Sequence, residues 1–207
     1  MAKKKPVLQT PIATTWDELH LLWNGCTRCP ASTKRKGNIV MGYGPLNPKF
    51  MVIGQAPGKE EHLLGMPFQG NGGYYTRLAL DIAGIAWEDV FFDNVLACFK
   101  TKPTKEQITP CRSRLTASIQ IVKPKLIIAL GAIASKWISD NNKPMGVLAT
   151  SKGTWKNYKY FCTTHPLEPY RLPDPDSSER AMEKSRIEFR MLGDYAREIE
   201  LLPPTLE

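Results

Sequence analysis

Four short apolar or β-branched runs, at residues 49–54, 90–97, 126–131 and 158–163, are bounded by Gly, Pro or polar clusters and read as strands. Helix-like stretches separate or flank them. One covers 74–83 and closes at Gly84; another covers 105–122 and stops before Pro124; a third covers 132–139. A long charged stretch, 177–199, has Asp176 or Ser177 as its cap, and an early helix, 15–24, has Thr15 as its cap and Gly25 at its end. Strands that alternate with helices need crossover connections, so the expected fold is α/β: a three-layer α/β/α sandwich around a central, mainly parallel four-stranded sheet. Runs that are apolar on both faces suit strands covered on both sides. The whole chain, 1–207, reads as a single domain, with 1–14 as a flexible N-terminal arm. In such sheets ligands bind beyond the carboxyl ends of the strands, so the residues that follow each run carry the chemistry.

Composition narrows the class. A 207-residue chain that is 42% hydrophobic and 23% charged is globular, and its net charge of +8 favours a polyanionic partner. Its longest apolar run, 126–134, is far short of the ~18 residues a membrane helix needs. Lys3, Lys4 and Lys5 lead into Pro6, Gln9 and Pro11 rather than an apolar stretch, so neither a spanning helix nor a signal peptide is expected.

Without an export signal, cysteines are expected in a reducing compartment, where they hold metals or do chemistry more often than they form disulfides. Cys26 and Cys29 form a C-x-x-C, Cys98 and Cys111 lie far downstream, and Cys162 sits in an aromatic, β-branched run as a small buried hydrophobe. Two thiolates from the C-x-x-C and two from a distant segment complete either a tetrahedral zinc site or a four-thiolate iron–sulfur cluster. Spacing alone does not choose between these, nor does it exclude buried, unreactive thiols.

The segments after the strand runs hold three motifs. The first is Gly54-Gln55-Ala56-Pro57-Gly58-Lys59-Glu60-Glu61-His62 with Gly65-Met66-Pro67-Phe68-Gln69-Gly70 behind it; the second is Asp93-Asn94-Val95 leading to Cys98; the third is His165-Pro166-Leu167-Glu168-Pro169-Tyr170-Arg171. Together they resemble the uracil-DNA glycosylase superfamily, most closely its iron–sulfur family 4, from about Thr15 to the last helix. The matching features are a Gly-Pro turn followed by acidic residues and G-x-P-F, an Asn motif, and a late His-Pro with a basic residue downstream. The resemblance implies a [4Fe-4S] cluster, with zinc the alternative, on Cys26, Cys29, Cys98 and Cys111.

It further implies a monofunctional hydrolase of base excision repair. Such an enzyme flips uracil, or a related modified pyrimidine, out of DNA and cleaves its N-glycosidic bond. On this reading the Gly54–Gly58 turn and Ala56 let backbone approach the base, Phe68 stacks on it, and Asn94 matches the N3–H donor and O4 acceptor of uracil. His165 donates to O2 as negative charge develops there. Leu167, Tyr170 and Arg171 occupy the loop that meets the DNA stack and a phosphate. The expected protein is a cytoplasmic monomer, prokaryotic or phage-encoded, with DNA as partner and no membrane association.

The chain departs from the family at telling positions. Gln55 stands where family 4 has Glu, and Ala56 where family 1 has Asp, so the motif holds no carboxylate to activate water. Glu61 aligns with a carboxylate that the family uses and is the candidate to organise water with Gln55. Leu167 replaces the usual Ser, His62 replaces a common Asp, and 99–110 lacks the Arg-rich insertion of the branch that captures uracil covalently. Two other readings follow: a catalytically attenuated member that binds DNA or a modified base, and a redox-active or zinc site on a nucleotide-binding fold.

Overall fold

The computed structural model describes residues 13–29, 38–100 and 102–204; most of the expected N-terminal arm lies outside them. Their elements, in chain order, are α1 (Trp16–Trp23), β1 (Phe50–Gly54), α2 (Lys59–Leu64), α3 (Asn71–Ala83), β2 (Val90–Asn94), α4 (Lys105–Val122), β3 (Leu126–Leu130), α5 (Gly131–Ser139), α6 (Met145–Leu148), β4 (Lys152–Trp155), β5 (Tyr158–Thr163) and α7 (Pro175–Glu198). Single 3₁₀ turns at Trp87–Asp89 and Pro169–Arg171 complete the list.

The sheet has five strands among the described residues, in the order β2-β1-β3-β5-β4, rather than the four expected. The pairings β1–β2, β1–β3 and β3–β5 are parallel, as expected; β4 is the addition, an antiparallel edge strand on β5. Its residues, Lys-Gly-Thr-Trp, carry no apolar run because the strand is partly exposed throughout. It exists by pairing across the two-residue connection Lys156-Asn157, where Lys156 takes φ +52.

Strand alternation splits the core into two layers. Phe50, Val52, Phe92, Leu126, Ile128 and Phe161 face α3 and α7, meeting Leu80, Ala83, Phe189 and Leu192. Met51, Ile53, Phe91, Ile127, Ala129 and Cys162 face α4 and α5, meeting Leu115, Ile119, Trp137 and Ile138. Helices therefore cover both faces, and the three-layer sandwich follows from period-2 burial of strands that have no polar side. Cys162 is fully buried in the second layer, as a small hydrophobe would be.

Three element boundaries differ from the sequence reading by two residues or more, one of them the start of α3 at Asn71 rather than 74. Strand β2 ends at Asn94, not Ala97, because the Val95 and Leu96 amides donate to the Gly54 and Gln55 carbonyls and turn the chain across the end of β1. Residues 95–97 are apolar because they are buried, not because they extend the strand. Helix α7 begins at Pro175 rather than 177; Asp174 is its cap, accepting from the Ser177 amide at 2.8 Å, and Pro175 occupies the first turn, where its missing N–H costs nothing. The caps at Thr15 and the ends of α4 match the sequence reading.

Between β2 and α4 lies a buried charge pair. Arg114 Nη1 donates to both carboxylate oxygens of Asp93 at 2.9 Å, and the Ser118 hydroxyl donates to Oδ2 at 2.7 Å. Both charged residues are within 1% of complete burial. The exposed Lys152–Glu198 pair, at 2.8 Å, is its surface counterpart. Removing one partner of a buried pair strands the other charge, whereas a surface pair contributes little. Arg114→Ala is therefore expected to lower unfolding free energy by about 3–5 kcal/mol, and Lys152→Ala by less than about 1 kcal/mol, in urea denaturation followed by tryptophan fluorescence.

Candidate active site

The carboxyl ends of β1, β2 and β5 deliver Gly54, Asn94 and Thr163 to one side of the sheet, and the segments that follow them wall a cleft of about 660 Å³. Gln55, Ala56, Glu61, Phe68, Asn94, His165, Leu167, Tyr170 and Arg171 all line it. The nine residues singled out for catalysis, base binding and DNA contact thus share one cavity, within the size range of small-ligand sites.

Asn94 is held from behind. Its amide donates to Asp93 Oδ1 at 2.7 Å, and Arg114 Nη2 donates to its carbonyl oxygen, so main-chain contacts from the buried pair fix the residue whose side chain reaches the cleft. That side chain lies against Gly54: a Cβ on Gly54 would sit 2.5 Å from Asn94 Oδ1 and 3.1 Å from Phe68 Cζ. Glycine here makes room for both neighbours.

Phe68 is buried, with its ring 5.1 Å from that of Phe92. Its φ of +56 is uncommon for an aromatic residue and marks a conformation held by its surroundings. Part of that hold is Gly73 on α3, which packs so closely on the Phe68 carbonyl that a Cβ would overlap it. The paired glycines at 72 and 73 were the sequence signal for this approach, and the motif reading missed them.

His165 stands at the cleft wall after β5. The Leu167 amide donates to its Nδ1 at 3.2 Å, so in the neutral ring the proton resides on Nε2, which is left as a donor. Burial, and after it the positive charge of Arg171, pushes the His165 pKa down to about 4. The chain leading into His165 is clamped from α7, a contact not anticipated from sequence. Buried Glu188 accepts from the Thr164 amide at 2.7 Å and from its hydroxyl at 2.8 Å.

Glu61 is buried, and its Oε1 accepts from the Gly70 amide at 3.0 Å. One oxygen thus braces the start of α3 against α2 while the residue still borders the cleft. His62 points elsewhere: its Nδ1 lies 3.0 Å from the Asn38 carbonyl oxygen, tying α2 to the segment that precedes β1.

A second, smaller void is lined by Cys26, Cys29, Cys98 and Cys111 together with Trp23 and Arg28. Three separate segments bring the four thiols there: the turn after α1, the chain after β2 and the second turn of α4. Cys98 and Cys111 are buried and the C-x-x-C pair partly so. Burial pushes the Cys111 thiol up while Arg114 draws it down. Among the described residues no three His, Cys, Asp or Glu side chains are placed to hold a single metal ion. The Arg28 guanidinium lies 4.1 Å from the Trp23 ring centroid beside this void, a cation–π contact the sequence did not signal.

The model of the uracil DNA glycosylase superfamily matches residues 41–184, which include every cleft residue named above. The chain belongs to that superfamily. Among its relatives, the type-4 uracil-DNA glycosylase of Pyrobaculum aerophilum is 38% identical over 170 residues, covering 75% of this chain and 85% of the relative. That of Saccharolobus solfataricus is 35% identical over 153 residues, covering 68% and 70%. That of Thermotoga maritima is 38% identical over 121 residues, covering 57% of this chain and 62% of the relative, a little under two thirds of its length. No described helix of this superfamily member is long and apolar enough to cross a membrane.

A His pKa lowered on folding means that the unfolded chain binds the extra proton first. His165 therefore contributes stability that is complete above pH ~6.5 and is lost as pH falls toward 4. In NMR titration the His165 ring is expected to stay neutral, protonated on Nε2, through pH 5, and Arg171→Ala is expected to raise its pKa. Gly54→Ala is expected to cost about 1–3 kcal/mol by overpacking, and a crystal structure of the variant should show Asn94 or Phe68 displaced.

Proposed function

We propose that the protein extrudes uracil, or a closely related modified pyrimidine, from DNA and hydrolyses its N-glycosidic bond, a step of base excision repair in the cytoplasm of a prokaryotic or phage-infected cell. The observation that carries this reading is His165, its Nδ1 accepting from the Leu167 amide so that Nε2 is left as the donor, in the same cleft as an Asn94 whose main chain is held by the buried pair. A neutral imidazole donor suits an oxygen that gains negative charge, because it stabilises the charge without giving up its proton at the start.

In the proposed reaction the extruded base lies on Phe68, with Asn94 accepting from N3–H and donating to O4. Cytosine reverses both groups and would meet donor with donor and acceptor with acceptor. As the bond between C1′ and N1 breaks, its electron pair passes into the uracil ring, and His165 Nε2–H stabilises the charge at O2. Water adds to C1′, and the proton it loses is taken up by the departing uracil anion, leaving neutral uracil and an abasic sugar. Gln55 orients that water through its side-chain carbonyl, and Glu61, on the same cleft wall, is the carboxylate that helps to organise it. Leu167, Tyr170 and Arg171 meet the strand that the base has left.

The donor set of the second void has the chemistry of a thiolate-bound group: four cysteines from three segments, two of them buried, line one space. Cys26, Cys29, Cys98 and Cys111 would hold a [4Fe-4S] cluster, with zinc the alternative. When bound, such a group would cross-link the turn after α1 to α4 and to the chain after β2. Because Cys111 lies on α4 with Arg114, which holds the Asn94 carbonyl, its role would be structural for the cleft.

The absence of a carboxylate at positions 55 and 56 favours a second reading, an attenuated member that binds DNA without efficient release. Purified protein incubated with single-stranded and U:G oligonucleotides, followed by alkali, separates the two. Release by the parent is expected, with His165→Ala and Asn94→Ala each about 10²–10³-fold slower while DNA binding persists. Gln55→Glu is expected to raise the rate. A silent parent that gains release on Gln55→Glu would establish the second reading. Iron and sulfide analysis is expected to give four of each per chain, and Cys111→Ser to lose them; one zinc per chain would replace the cluster by a single ion.

A further inference from the structure

Two tyrosines that border the cleft and a third beside them take no part in the bond cleavage above, and of the three only Tyr170 has so far been given a place, in the loop that meets the DNA. Tyr75 of α3 and Tyr170 of the loop after β5 stack face to face, with ring centroids 3.8 Å apart and planes inclined by 23°. Tyr74 meets the Tyr75 ring edge-on, at 5.1 Å and 77°. Tyr75 and Tyr170 both border the cleft. The cluster is not closed over, since Tyr74 is 56% exposed and Tyr170 47%. Behind the stacked pair a small recess between α3 and α7, lined by Leu78, Ile82, Pro169 and Met182, backs the rings with apolar side chains.

We propose that Tyr74, Tyr75 and Tyr170 form a preassembled stacking platform for the nucleobase next to the extruded one, and that the protein thereby favours an unpaired strand. This rests on the glycosylase reading of the cleft. Taking one nucleotide out of a stack uncovers the faces of its neighbours, and an aromatic ring replaces the lost contact whatever the base, because every base has a π-face. The platform is already ordered by its own ring contacts, so little side-chain freedom is lost on binding. Charge supports a nucleic-acid occupant: Arg171 directly follows Tyr170, Lys59 and Lys100 border the same cleft, and the chain carries a net charge of +8. In a duplex the neighbouring base keeps its pairing partner and its place in the helix, so a single strand reaches the platform with less unstacking. Tyr75 acts as a positioning residue beneath Tyr170, and Tyr74 and Tyr170 present the exposed rings.

The test uses single-stranded oligonucleotides with one uracil and either ordinary flanks or a tetrahydrofuran abasic spacer on the 5′ or the 3′ side. Uracil release is measured on these, and Kd by anisotropy on the same set carrying uncleavable 2′-fluoro-2′-deoxyuridine. Tyr74→Leu is expected to weaken Kd and raise KM about tenfold with ordinary flanks, with kcat within about twofold, and Tyr170→Leu is expected to weaken Kd at least as much. The penalty should vanish when the spacer replaces the base on one side. Tyr75→Leu should behave alike and Tyr75→Phe should retain binding. A penalty that is absent, or is unchanged by both spacers, overturns the platform. Absence of release by the parent overturns the glycosylase reading instead, and the Kd series still decides the platform.

Discussion

Asp93 and Arg114 meet where the sheet ends and the cleft begins, and much of the surrounding structure is arranged around that meeting. Two opposite charges removed from water need close geometry and saturated hydrogen bonding to persist, and here the carboxylate receives two bonds from the guanidinium, one from Ser118 and one from the Asn94 amide. The consequence is positional. Strand β2, helix α4 and the Asn94 main chain cannot shift independently without breaking that set, so the floor of the cleft inherits the rigidity of the core. Cys111 lies one turn before Arg114 on α4, and Cys98 lies four residues beyond Asn94. The thiol-lined void and the cleft are thus two sides of one fixed segment.

The opposite wall is fixed by removal of volume. Gly54 and Gly73 each leave a space that a neighbour occupies, the first taken by Asn94 and Phe68 and the second by the Phe68 carbonyl. Phe68 in turn adopts a left-handed backbone that a free aromatic residue avoids. Polar satisfaction holds one side of the cleft and close backbone approach the other, and the first acts through groups, Asp93 and Arg114, that do not line the cavity.

Much of this was legible in the sequence, for identifiable reasons. Strands buried on both faces are uninterrupted apolar runs, so β1, β2, β3 and β5 stood out, whereas β4 has no such run and depends on its partner across a tight connection. The cleft residues came from the motifs after those strands and the family they resemble, and they do line one cavity. The parts that spacing missed are those in which one residue acts on another far along the chain: Arg114 on Asn94, Glu188 on Thr164, Tyr75 on Tyr170. Each looks ordinary in its own helix, a charged or aromatic side chain in a periodic pattern. Only the crossover connections bring it to its partner. Apolar character also misled locally, since 95–97 are buried by a turn and not by extension of β2.

The bond from the Leu167 amide to His165 Nδ1 is made by main chain. Residue 167 can therefore exchange a small polar side chain for leucine and leave the proton on Nε2 undisturbed, while proline there, having no N–H, would remove the bond. The same bond joins two things usually treated apart, the posture of a loop and the chemical state of a ring. With the loop seated the imidazole has one tautomer; with the loop lifted, both nitrogens compete for the proton. The histidine is a donor of defined direction in the same loop posture that holds Leu167, Tyr170 and Arg171 at the cleft.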